Sequence, residues 1–174
     1  MKNLNYIMKY TLILLFVTSL ATAQESDFDL SKIRFKKLQF RASKDEIIRA
    51  EGQPEIKDTN YDCGAYAKDQ PDGPYHQLRY KGFNYIGNDK EDFVLENVTF
   101  DPKGKVKLAY GNVSVSGLTT KPEFIKMFES AGKKFFVESS SKESILLFAK
   151  DTGDGAKFFF QDGKLIKYEY WSPC

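Results

Sequence analysis

Phe124, Met127, Phe128 and Ala131 fall at i, i+3, i+4 and i+7, which places them on one face of a helix. A capping box opens that helix: Thr120 and Glu123 stand three apart, so each side chain reaches the other's backbone N–H. Pro122 lies in the first turn, where its missing N–H costs nothing, and Gly132 ends the run. Ser43-Lys44-Asp45-Glu46 is a second box. Ile47, Ile48 and Ala50 follow it, and Gly52 with Pro54 stops it.

Elsewhere the period shortens to two. Val106, Leu108 and Tyr110 alternate with Lys107, and Ile166, Tyr168 and Tyr170 alternate with Lys167. Each set predicts a half-buried antiparallel strand with its lysine facing solvent. Pro102-Lys103-Gly104 and Asp162-Gly163 supply the turns before them, so 100–110 and 160–170 read as matching hairpins at an offset of 60. Further strands are predicted over 77–86, 92–100, 134–138, 144–149 and 156–160, with turns at Asn88-Asp89 and 151–155. In the first of these, Leu78 and Tyr80 share one parity and Phe83 and Tyr85 the other, so Gly82 is read as a bulge.

Extended segments over 33–40 and 112–118 lead into the two helices. The order of extended segment, capped helix and antiparallel strands therefore occurs twice. It predicts an α+β fold of two tandem helix-plus-antiparallel-sheet repeats, 24–111 and 112–174. The capping boxes are 77 residues apart and the hairpins 60, so the first repeat carries 17 more residues. Most lie in a loop over 57–75 that holds Tyr61, Cys63 and Tyr66. Loops of this length in compact domains are more often functional than connecting.

Residues 1–23 read as an address. Lys2 and Lys9 precede the uncharged run TLILLFVTSL, and Ala21-Thr22-Ala23 offers the small residues of a cleavage site. This is a secretory signal peptide of bacterial type, and its apolar run is too short to span a bilayer. The mature chain is expected from Gln24, secreted or periplasmic. The chain has 26 Lys+Arg against 24 Asp+Glu, and two of the lysines belong to the leader, so the remainder is neutral. Nothing here points to nucleic acid or an anionic membrane surface as a partner, since both need a concentrated positive field, and no nucleic acid is expected. Cys63 and Cys174 are the two cysteines. An oxidising compartment favours a bond between them over two free thiols. It closes a loop of about 110 residues and contributes roughly 4 kcal/mol in the chain-entropy account.

Catalytic and metal-binding patterns are missing. His76 is the one histidine; no nucleophile elbow adjoins it, and a zinc site would need more ligands. Asp151-Thr152-Gly153-Asp154-Gly155 lacks the closing glutamate of a calcium loop. Glu91 and Asp92 are neighbours on a strand and point to opposite faces. No glycine-rich phosphate loop follows a strand. Asn97-Val98-Thr99 and Asn112-Val113-Ser114 are glycosylation sequons for a eukaryotic host alone. No metal and no cofactor is expected.

Two units of extended segment, capped helix and antiparallel strands resemble the tandem fold of the beta-lactamase inhibitor protein. The helix leading to Gly52-Gln53-Pro54 also resembles that of small bacterial envelope proteins built on a related single unit. The resemblance implies a non-catalytic protein that inhibits enzymes, neutralises toxins or scaffolds envelope assembly. In the inhibitor each repeat carries its own disulfide, whereas here each half has one cysteine. No contact motif carries over, and fold analogy alone is a weak warrant for function.

The expectation is a protein-binding module, in its sharper form an enzyme inhibitor or an immunity-type protein, with Tyr61, Tyr66, Tyr75 and Tyr85 as anchors. Three alternatives remain open. An envelope-assembly role is one. An enzyme would show a cleft gathering two carboxylates, or a carboxylate with His76. A small apolar ligand would need space between sheet and helices, which Phe124, Phe128, Phe158 and Phe160 would close if they fill it.

Overall fold

The computed structural model describes residues 28–129, 135–138, 144–149 and 152–174. The leader, Ala131, Gly132 and Asp151 lie outside the described residues.

A short 3-10 turn, Leu30–Lys32, precedes a small hairpin of β1 (Ile33–Phe35) and β2 (Leu38–Gln39). Then come β3 (Arg41–Ala42), helix α1 (Lys44–Glu51) and four strands: β4 (Glu55–Asp58), β5 (His76–Tyr80), β6 (Phe83–Asn88) and β7 (Asp92–Thr99). A second hairpin, β8 (Lys107–Tyr110) with β9 (Val113–Ser116), leads to helix α2 (Lys121–Glu129). The chain ends in β10 (Phe135–Glu138), β11 (Ser144–Phe148), β12 (Gly155–Gln161) and β13 (Lys164–Trp171).

Both capping boxes form. The Ser43 N–H donates to Glu46 at 2.9 Å while the Glu46 N–H donates to Ser43 Oγ. Thr120 and Glu123 repeat the exchange. Local chemistry of this kind needs no knowledge of the rest of the chain, and both helices begin where the boxes place them.

Two separate helix-plus-sheet repeats do not form. The large sheet runs β10-β11-β12-β13-β7-β6-β5-β4 without interruption, and β3 also pairs with β7. Its middle is the antiparallel seam of β7 with β13, where Tyr168 faces Val98 and Glu169 faces Asn97. The second sheet, β2-β1-β8-β9, draws on both expected units, and Gly111-Asn112 is the tight turn between β8 and β9. Among the described residues the fold is mostly antiparallel sheet, with two short α-helices.

The matching hairpins fail for the same reason. Residues 160–170 do form one, closed by Gln161 opposite Lys164. Residues 100–110 do not: β7 stays in the large sheet and β8 pairs with β1 and β9. Asp101 redirects the chain there, its carboxylate accepting from the N–H groups of Lys103 and Val106 at 3.0 and 2.6 Å. Alternation specifies a strand but not its partner. Residues 77–86 are likewise two strands, with Lys81-Gly82 as their turn and Gly82 at φ +86°. The change of parity at Gly82 marked a hairpin, not a bulge.

Two real bulges sit elsewhere. Asn84 pairs Asn97 and Tyr85 pairs Leu95, which leaves Glu96 as the extra residue of β7. Phe159 pairs Lys167 and Phe160 pairs Leu165, which leaves Ile166 extra in β13. Ile166 is consequently exposed, while Leu165 and Tyr168 both turn inward. Lys107 is exposed and Lys167 half-buried.

The core lies between the inner face of the large sheet, the helices and the small sheet. Phe124 and Phe128 are buried on α2 and pack together at 4.5 Å between ring centroids; Met127 beside them is half-buried. Phe124 also meets Phe158 at 4.6 Å and Phe160 at 5.4 Å. The four phenylalanines fill the space that a ligand between sheet and helices would need.

Candidate functional site

The outer face of the large sheet is dressed by the loop, which runs over 59–75 because Lys57 and Asp58 belong to β4. Its ends meet, with the Thr59 N–H donating to Tyr75 O at 3.1 Å. Within it the Lys68 N–H donates to Tyr61 O at 2.9 Å, and Asn88 donates from β6 to Asp72 O at 2.9 Å. The Cys63–Cys174 disulfide ties it to the chain's last residue, and the Ala65 N–H donates to Ser172 Oγ at 3.0 Å beside it. A 17-residue segment of coil is thus held at both ends and in the middle.

The β7 bulge turns both Glu96 and Asn97 toward this face. Bulges commonly re-aim a side chain in this way. Glu96, 9% exposed, accepts three hydrogen bonds: from the Tyr61 hydroxyl, from Asn84 Nδ2, and from Gln77 Nε2 at 2.8 Å. Gln77 Nε2 also donates to the Tyr61 oxygen at 2.9 Å. Burial pushes the Glu96 carboxyl above the usual carboxylate range and outweighs the three donors, while Glu169 nearby pushes the same way. Burial also raises the Tyr61 phenol, assisted by the adjacent Glu96. Tyr61 therefore stays protonated and donates.

A cavity of about 290 Å³ opens here, lined by Tyr61, Glu96, Glu169, Tyr170 and Trp171 with residues 63–66. On the other side of Tyr66 lies a larger cavity of about 780 Å³, where β3 and β13 part company along β7. Phe28, Phe40, Val94 and Ala149 supply its apolar lining, with Arg41 and Asp154 also reaching it. Tyr66 and Tyr170 line both cavities and meet edge to face at 5.9 Å. The Tyr66 hydroxyl is pushed up to about 12, chiefly by burial.

The four sequence-selected tyrosines divide. Tyr61 is 41% exposed and Tyr66 half-buried. Tyr75 is buried beneath the loop, edge-on to Tyr66 at 5.1 Å. Tyr85 faces the core with no exposed surface. Neither offers a contact area: Tyr75 is 5% exposed, and the β5–β6 turn sets Tyr85 inward, opposite Leu78. His76 pairs with Asp58 at 2.8 Å at one end of β4 and lines neither cavity.

Glu96, Glu169, Gln77 and Asn84 were not singled out from sequence. In the structure the core-facing residues run Phe93, Leu95 and then Val98, but the apolar Val94 between the first two hid that change of parity in the sequence. The cavity does gather two carboxylates. Glu96 accepts its three hydrogen bonds there, and Glu169 is paired with Lys167.

Among the described residues no group of three or more His, Cys, Asp or Glu side chains converges as a metal site would require, and no helix is long and apolar enough to cross a membrane. The chain matches no family model, and no curated protein or solved structure matches it. No match supports the resemblance to the beta-lactamase inhibitor protein.

Proposed function

We propose that this is an exported protein-binding module whose docking face is the outer side of the large sheet, formed by the 59–75 loop around Tyr61. The observation that carries this reading is the tethering of the loop. A long coil segment is fixed by a disulfide and by bonds to β6 and the C-terminal segment, and it keeps Tyr61 at the surface. Preorganisation of this kind lowers the entropy lost on binding. Tyrosine offers large contact area for few rotatable bonds. The leader and the disulfide both point to a compartment outside the cytoplasm.

Capture of a partner from envelope and culture fluid tests it. The parent protein and Lys126→Ala, an exposed change on α2, should retain the same partner, and Tyr61→Ala should lose it. Equal capture by all three proteins would move the docking face elsewhere.

The larger cavity, where β3 and β13 part along β7, supports a second reading, a carrier of a small, largely apolar ligand. Its volume and lining suit such a guest. Displacement of a fluorescent fatty acid by none of a panel of apolar compounds would set this reading aside.

A further inference from the structure

We propose that the cavity between Tyr61 and Trp171 receives a basic side chain, a lysine ammonium or an arginine guanidinium, presented by the protein that docks on the loop face. This deepens the docking reading by naming the chemistry of the partner's anchor.

The shell of Glu96 consists of a phenol and two amides. All three donors are neutral, and the carboxylate is buried beneath them. A buried carboxylate is best stabilised when a positive charge accompanies its hydrogen bonds. Glu169 reaches the same cavity and adds a second negative charge. Lys167 occupies one oxygen of Glu169.

The aromatic lining of Tyr61, Tyr66, Tyr170 and Trp171 completes the case. Aromatic faces attract cations, and their apolar bodies cover the methylene stem of a long basic side chain. The volume of about 290 Å³ falls just below the range of about 300–1,000 Å³ typical of small-molecule sites. It has room for one long basic side chain. The mature chain is neutral overall, so recognition rests on these two local carboxylates and not on a long-range field.

Trp171 is the only tryptophan of the chain, which gives the cavity its own reporter. The experiment is a titration of the purified, oxidised protein followed by the indole N–H resonance. The probes are Nα-acetyl-lysine amide, Nα-acetyl-arginine amide, the uncharged Nα-acetyl-norleucine amide, and methyl glucoside. The basic amides should shift the indole signal saturably, and norleucine should bind at least about tenfold more weakly. Glu96→Gln and Glu169→Gln should each weaken the basic probes by at least about tenfold with the thermal melt retained. Glu169→Gln lies at the partly exposed end of the cavity and keeps the test decisive if Glu96→Gln fails to fold. Equal binding of norleucine, preference for the glucoside, or indifference to both substitutions would overturn the proposal. Probe binding without any captured partner would sink the docking reading alone. A captured partner that survives Glu96→Gln, with no probe binding, would sink this inference alone.

Discussion

The Tyr61 hydroxyl and the Glu96 carboxylate are joined across 35 residues of sequence, one on the loop and one at the bulge of β7. The bond couples loop position to the charge beneath it. Tyr61→Phe should lower stability by about 1–2 kcal/mol, within the range for a hydrogen bond to a charged group and reduced for partial exposure. It should also raise the Glu96 pKa further, because a donor that favours the ionised form is gone. Carboxyl chemical shifts followed with pH check this; an unmoved Glu96 would mean the bond is absent in solution.

Stability should respond to pH in two opposed ways. The fold raises the Glu96 pKa, so its contribution is full below the ordinary glutamate value and lost as pH rises through the folded value. Asp101 is held low by backbone N–H groups, so its contribution is present above the ordinary aspartate value and lost as pH falls. Denaturant midpoints across the mildly acidic range should show both limbs. Glu96→Gln should remove the decline on the rising side and leave the acid limb intact.

Loss of the disulfide should release the loop. Cys174→Ser should cost about 2–5 kcal/mol, since the bond closes a long segment of chain. Thiol titration of the denatured, unreduced parent should find no free thiol. Amide exchange in the variant should quicken over 59–75 first, while β12 and β13 keep their protection.

Two aromatic truncations should differ in sign. Phe128 is buried among Tyr110, Phe124 and Phe158, so Phe128→Ala should cost roughly 3–5 kcal/mol. Tyr85 is fully buried and its hydroxyl has no hydrogen-bond partner among the described residues. Tyr85→Phe should therefore be neutral or stabilising by about 1 kcal/mol, because it removes an unpaired polar group and leaves no cavity. A clear loss on removing that hydroxyl would reveal a bond to water.

What could be read from sequence was the local part. Ser43 with Glu46 and Thr120 with Glu123 fix two helix starts through contacts three residues long. Pairing is different. Nothing near Tyr168 specifies Val98 as its neighbour, and nothing near Leu108 specifies Phe35, so two look-alike segments took places in different sheets. The parity change at Gly82 was visible, yet a turn and a bulge leave the same trace in the pattern, and the unbroken alternation of Ile166, Tyr168 and Tyr170 hid the bulge at Ile166. The site was legible to the same depth. Tyr61 and Cys63 stood out within an unusual loop, whereas Glu96 became interesting only when folding set it under Tyr61. Tyr85 was misplaced because its face depends on the partner strand.

The turn at Pro102 to Lys105 joins two stretches that need no peptide bond to stay together. Pro102, Lys103 and Lys105 are exposed there. A protease that nicks after Lys105 would leave Cys63 on one fragment and Cys174 on the other, with β7 still zipped to β13 and β1 to β8. The cleaved molecule should run as one species until it meets denaturant and reductant together. The fold acts as its own splint: the backbone can be broken at this exposed turn without the two pieces parting.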